Sequence, residues 1–127
     1  MRGSKRAILG LLASVFVLAL IAAPVLSHTA NGGTGNDEMI GHEDHGDSLN
    51  GGPGCDDVKG LGQSDDLYGG NGGCDSVRGG DGWDDRATTW DDSQGGDDAY
   101  GGAGNRDVCR VDTNDSPDAT TCEEIRF

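Results

Sequence analysis

The chain is poor in the material from which ordinary domains are built. Its 127 residues include only 2 Trp, 2 Tyr, 2 Phe and 3 Pro. Lys and Arg number 9 against 23 acidic residues, for a formal net charge of −14. That balance excludes nucleic acid as a partner, because phosphates demand a basic surface. Apolar residues are scarce too once the first 27 are set aside. Residues 28–127 hold 15 Val, Ile, Leu, Met, Phe, Trp or Tyr, 22 Gly and a formal charge of −17. This is too little to bury a conventional core. Catalytic signatures are missing as well. There is no Gly-x-Ser-x-Gly elbow, no phosphate loop and no His set against a Ser or Cys nucleophile. The Gly-x-Gly pairs lack the third glycine and the helix of a dinucleotide site. The expectation is a protein that is not an enzyme.

The one long apolar run, residues 7–26, follows Arg2, Lys5 and Arg6 and is followed by small residues. It reads as a Sec-type signal peptide, residues 1–27, with cleavage after Ser27 or Ala30. Twenty apolar residues also suffice to span a bilayer, so an uncleaved surface anchor is the alternative. Pro24 and the absence of a basic flank after the run favour cleavage. The expected destination is therefore extracellular, with no membrane association once the signal is removed.

What the remainder has in abundance is glycine and aspartate in a fixed phase. Residues 31–110 form a tandem array. Its clearest copies are Gly51-Gly-Pro-Gly-Cys-Asp-Asp-Val-Lys59 and Gly79-Gly-Asp-Gly-Trp-Asp-Asp-Arg-Ala87. Each copy can be anchored on one Asp with an apolar residue two places on. The anchors Asp37, Asp47, Asp56, Asp65, Asp75 and Asp84 are spaced by 10, 9, 9, 10 and 9 residues. Met39, Leu49, Val58, Leu67 and Val77 fill the apolar slot, and then Arg86 breaks it. Asp91 and Asp97 follow at shorter spacings, with Ser93 and Ala99 in that slot. The pattern recovers at Asp107 with Cys109.

A phase-locked period of nine is the sign of a calcium-binding parallel β-helix. The array resembles the hemolysin-type (RTX) calcium-binding repeat family, whose unit is Gly-Gly-x-Gly-x-Asp-x-apolar-x. The resemblance implies an all-β, right-handed parallel β-roll in which two copies make one turn. The same slot two copies later then lies directly overhead, about 4.7–4.9 Å away. One edge would carry Asp37, Asp56 and Asp75, and the other Asp47, Asp65 and Asp84. Glycine carbonyls and carboxylates together suit Ca2+, a hard ion that takes six to eight oxygens. The resemblance places the metal ligands among Gly33, Gly35, Asp37, Asp47, Gly52, Gly54, Asp56, Asp65, Gly70, Gly72, Asp75, Gly80, Gly82, Asp84, Asp97 and Asp107. Ca2+ is the implied cofactor, and folding and ion uptake would be one coupled event. A disordered acidic spacer is the alternative that composition alone would suggest.

Other features refine this picture. Cys55 and Cys74 each precede an anchor and lie one coil turn apart, so they are expected to pair, leaving Cys109 for Cys122. Arg86 in an inward slot predicts irregular geometry from 86 to 100. Trp83, Trp90 and Tyr100 are expected to pack over that stretch, or else to stack on a glycan or protein partner. His42-Glu43-Asp44-His45 reads as an exposed loop variation, with Zn2+ or Cu2+ binding as the other option. Residues 111–127 lose the repeat and are expected to cap the last coil edge through Cys122. Asp112, Asn114, Ser116, Asp118 and Glu123 fall near EF-hand loop offsets, but Pro117 stands where that loop needs Gly.

Overall fold

The computed structural model describes residues 28–91 and 96–127. The expected signal segment and Ser93 lie outside them. Strands β1 (His28–Asn31), β3 (Asp47–Pro53), β5 (Asp66–Asn71), β7 (Arg86–Thr88), β9 (Val108–Arg110) and β11 (Glu124–Arg126) form a six-stranded sheet in that order. Strands β2 (Glu38–Ile40), β4 (Asp57–Gly62), β6 (Ser76–Asp81), β8 (Asp98–Gly102) and β10 (Ser116–Pro117) form a five-stranded sheet. Every pairing is parallel. Consecutive strands alternate between the sheets, so the chain winds a β-solenoid of about five turns, and no helix occurs among the described residues.

The apolar slot explains how so few hydrophobic residues suffice. Side chains alternate across a strand, so one residue per copy points inward. Register then stacks these residues in two single columns. The six-stranded sheet contributes Ala30, Leu49, Leu67, Ala87, Cys109 and Ile125, each paired with the next. The five-stranded sheet contributes Met39, Val58, Val77 and Ala99. Val58, Leu67, Val77, Ala87, Ala99 and Cys109 are fully enclosed. Outward positions carry ion pairs such as Lys59–Glu38 at 2.9 Å and Arg78–Asp57 at 2.8 Å. Exposed pairs of this kind contribute little to stability.

One sequence expectation is corrected here. Arg86 is not an inward residue. It lies exposed on β7, and Ala87 fills the slot. The copy beginning at Gly79 therefore has ten residues, with six steps from Gly79 to Asp85, as from Gly69 to Asp75. The coil also stays in register through this region: Ala87 pairs with Leu67 and Cys109, and Ala99 pairs with Val77. The longer spacing between Asp85 and Asp97 leaves these pairings intact. The tail is as expected: residues 111–127 supply β10 and β11, which stack on β8 and β9 at the end of the coil, and Cys122 ties them to Cys109.

Candidate metal centre along the two coil edges

Each turn between strands delivers one aspartate to an edge of the coil. One edge stacks Asp37, Asp56, Asp75 and Asp97, and the other stacks Asp47, Asp65, Asp85 and Asp107. A single hydrogen-bond rule links each row. An anchor's backbone N–H donates to the Oδ1 of the anchor one turn further on. Distances are 2.8 Å for Asp37 to Asp56, 2.8 Å for Asp56 to Asp75 and 2.7 Å for Asp75 to Asp97. On the second edge they are 2.7 Å for Asp47 to Asp65, 2.9 Å for Asp65 to Asp85 and 2.9 Å for Asp85 to Asp107. Asp107 N–H donates in turn to Glu123 Oε2 at 2.7 Å. Register places Asp115 opposite Asp97 and Glu123 opposite Asp107, so the tail continues both rows.

The rule satisfies one carboxylate oxygen and strands the other. Oδ2 of Asp37, Asp56, Asp65, Asp75, Asp85, Asp97 and Asp107 is buried with no hydrogen-bond partner. Unpartnered buried carboxylates are costly, and like charges stacked one rung apart raise the cost. The titration of these groups reflects it. Burial pushes Asp65 and Asp97 up to about 7 and Asp85 up to about 6, against the opposing backbone hydrogen bond, and neighbouring carboxylates add to the rise. Asp75 and Asp107 are raised for the same leading reason.

Glycine makes the room beside these oxygens. A Cβ built on Gly32 would stand 2.8 Å from Asp37 Oδ2 and 2.6 Å from the Gly51 carbonyl of the next turn. Gly51, Gly60 and Gly79 repeat the arrangement with Asp56, Asp65 and Asp85 and the carbonyls of Gly69, Gly79 and Gly101. Orphaned carboxylate oxygens beside carbonyl oxygens, with space between them, form a donor set of the hard-cation kind and fit Ca2+. The residues that would hold it are the two rows of aspartates, with the carbonyls of the first glycine of each copy. Its contribution would be to neutralise charge that the fold otherwise leaves stranded.

The expected ligands fall into place unevenly. Asp37, Asp56, Asp75 and Asp97, and likewise Asp47, Asp65 and Asp107, sit in the rows. Asp84 does not: it is half-exposed and pairs with Arg106 Nε at 3.4 Å, while Asp85 takes the slot and is 1% exposed. Asp91 is also off the row, its Oδ2 accepting the Gly72 N–H at 3.1 Å. Gly33, Gly35, Gly54 and Gly72 lie in the turns of the first edge and Gly82 in one of the second, while Gly52, Gly70 and Gly80 sit near the C-terminal ends of β3, β5 and β6. Gly33 and Gly35 are at the open end, where an added Cβ would meet nothing. Gly82 abuts both carboxylate oxygens of Asp85. Sequence reasoning missed the first glycine of each copy, together with Asp85, Asp115 and Glu123. Counting from that glycine leaves Asp84 and Asp85 both open, since the step to the aspartate is five residues from Gly51 and six from Gly69, and Ala87 is what marks Asp85. Leu61 and Gln63 occupy left-handed backbone at φ 81° and 71°, where neighbouring turns use glycine.

Both expected disulfides are present. Cys55–Cys74 bridges adjacent turns of the first edge with a Cα separation of 4.9 Å, and Cys109–Cys122 ties the last rungs at 5.7 Å. The aromatic residues do not pack over the coil as a group. Trp83 is 73% exposed, Trp90 lies under the Arg110 guanidinium at 4.2 Å, and Tyr100 under that of Arg78 at 5.5 Å. No protein-family model, no curated protein and no solved structure matches this chain.

Proposed function

We propose that this chain is an exported calcium-binding repeat protein, of the kind the hemolysin-type (RTX) resemblance implies, which coils when it takes up Ca2+. Its role would be structural or adhesive outside the cell. One observation carries the reading: seven buried Oδ2 atoms, aligned in two rows beside glycine carbonyls, have no protein partner. A chain this acidic has little reason to bring those carboxylates together without a cation between them. Extracellular calcium modules bind at about 10⁻⁴–10⁻³ M, which sets the range to search.

The test is circular dichroism and calorimetry of the exported chain with Ca2+ and in excess chelator. A β signal that appears with Ca2+ and vanishes on chelation is expected. Asp56→Ala combined with Asp75→Ala should weaken the response. An equally strong β signal in chelator would overturn the proposal.

One observation favours a second reading. Trp83 is a large, exposed aromatic ring at a turn of the second edge, next to Asp84. In this reading the calcium-ordered coil presents it to a glycan or a protein. Retention on a glycan array, lost in Trp83→Ala, would support that; absence of hits would remove it.

A further inference from the structure

The second carboxylate row ends differently from the first. At its open end, the slot opposite Asp47 is filled by His28, since β1 pairs with β3 in the register His28 to Asp47. The row therefore changes from oxygen donors to an imidazole at its first rung. His42 and His45, from the turn before β3, converge on the same carboxylate. His42 Nδ1 lies 3.4 Å from Asp47 Oδ1 and 3.3 Å from Oδ2, and His45 Nε2 lies 3.6 Å from Oδ1. The His28 and His42 rings meet edge-on at 5.3 Å between centroids, and those of His42 and His45 stack at 4.4 Å. Donor atoms of His28, His42 and Asp47 all lie within 4.8 Å of one another.

We propose that His28, His42 and Asp47 bind a borderline divalent ion, Zn2+, with His45 as the fourth donor. The chemistry differs from that of the rows. Imidazole nitrogens select zinc-class ions, whereas carboxylates and carbonyls select Ca2+. Spacing supports the assignment. Two ligands of a tetrahedral Zn2+ at 2.0–2.1 Å are about 3.3 Å apart. The His42–Asp47 separations are close to this and longer than the roughly 2.7–2.9 Å of a charge-assisted hydrogen bond. His45 carries the outer partner that ligating histidines commonly have: its Nδ1 meets Asp44 Oδ1 at 2.8 Å, leaving Nε2 toward Asp47. Asp47 is buried and fixed by its neighbours, while His28 and His42 are exposed, so their rings can turn onto the ion. The ligands differ from those that the run His42-Glu43-Asp44-His45 suggests by itself. Glu43 has no part, and His28 comes from one turn away.

The experiment titrates Zn2+ into the exported chain in saturating Ca2+, which occupies the carboxylates with an orphaned Oδ2 and suppresses binding there; Asp47 is not among them, because its Oδ2 accepts the His42 N–H. One Zn2+ per chain is expected. His28→Ala and His42→Ala should each weaken it at least tenfold and leave the Ca2+ isotherm and circular dichroism unchanged, whereas Glu43→Gln should leave Zn2+ binding as it was. Co2+ in place of Zn2+ should give the visible absorption of a four-coordinate ion, and His42→Ala should abolish it. No Zn2+ uptake above the Ca2+-loaded background, or uptake in both histidine variants equal to that of the parent chain, would overturn the assignment. Failure of the Ca2+ isotherm itself would instead count against the calcium reading.

Discussion

At the scale of the residue, the deciding contrast lies between two neighbours. Asp85 is enclosed with a stranded oxygen, and Asp84 sits at the surface beside Arg106. Asp85→Asn should weaken Ca2+ binding at least tenfold in calorimetry, while Asp84→Asn should bind like the parent chain. Sequence spacing could not separate them, because several copies carry two adjacent aspartates, as at Asp56-Asp57 and Asp65-Asp66. The choice depends on which residue two places on turns inward, and Ala87 beside Arg86 was the only clue. The other anchors were legible because Val58, Leu67 and Val77 mark them without ambiguity. The raised carboxyls also set an unusual pH dependence. A carboxyl whose folded pKa is raised holds more protons in the coil than in the unfolded chain. Its stabilising effect is complete below the ordinary value of 3.8 and is lost as pH rises through about 6 for Asp85 and about 7 for Asp65 and Asp97. In chelator, the β signal should therefore grow as pH falls from about 8 to about 4. Ca2+ needs the same groups deprotonated, so uptake by the coil that forms at low pH in chelator should release protons, whereas uptake by the uncoiled chain near neutral pH should release almost none. Calorimetry in two buffers of different ionisation enthalpy measures that release.

At the scale of the element, turn and strand make opposite demands, and glycine meets those of the turn. Gly70 has φ +116°, and a Cβ there would run into the Gly52 carbonyl of the preceding turn. Gly70→Ala should cost at least about 1–2 kcal/mol from backbone conformation alone. The denaturation midpoint in Ca2+ reports it. The first strand makes a separate prediction. Ala30 stacks on Leu49 and begins a core column, and His28 opens β1. Under the export proposed above, processing that keeps this rung cuts after Ser27 rather than Ala30, and the processed chain should begin at His28 by intact mass. The rungs near the ends were the least legible elements. β10 has Pro117 where other copies place an aliphatic residue, and neither Asp115 nor Glu123 follows a Gly-Gly pair. They are placed by stacking on β8 and β9, a relation between distant residues that local spacing does not express. The cysteines were legible because a separation of 19 residues equals one turn of coil.

At the scale of the whole molecule, cohesion runs along one axis. Each rung touches the one above and the one below, through two single columns of side chains and two rows of carboxylates. With so narrow a core, compactness and ion uptake should go together. Small-angle scattering of the exported chain should show a radius of gyration near about 30 Å in chelator, falling toward about 13 Å in Ca2+. The alternation of copies between the two edges has a consequence for how such a chain can change length. Removing or adding two copies shifts the stack by one rung, about 4.8 Å, and leaves everything downstream on its own side. Removing one copy, such as residues 60–68, transposes every later residue to the opposite side and sets Cys55 and Cys74 apart. Growth and loss in this molecule are governed by parity, so viable length variants should differ by even numbers of copies.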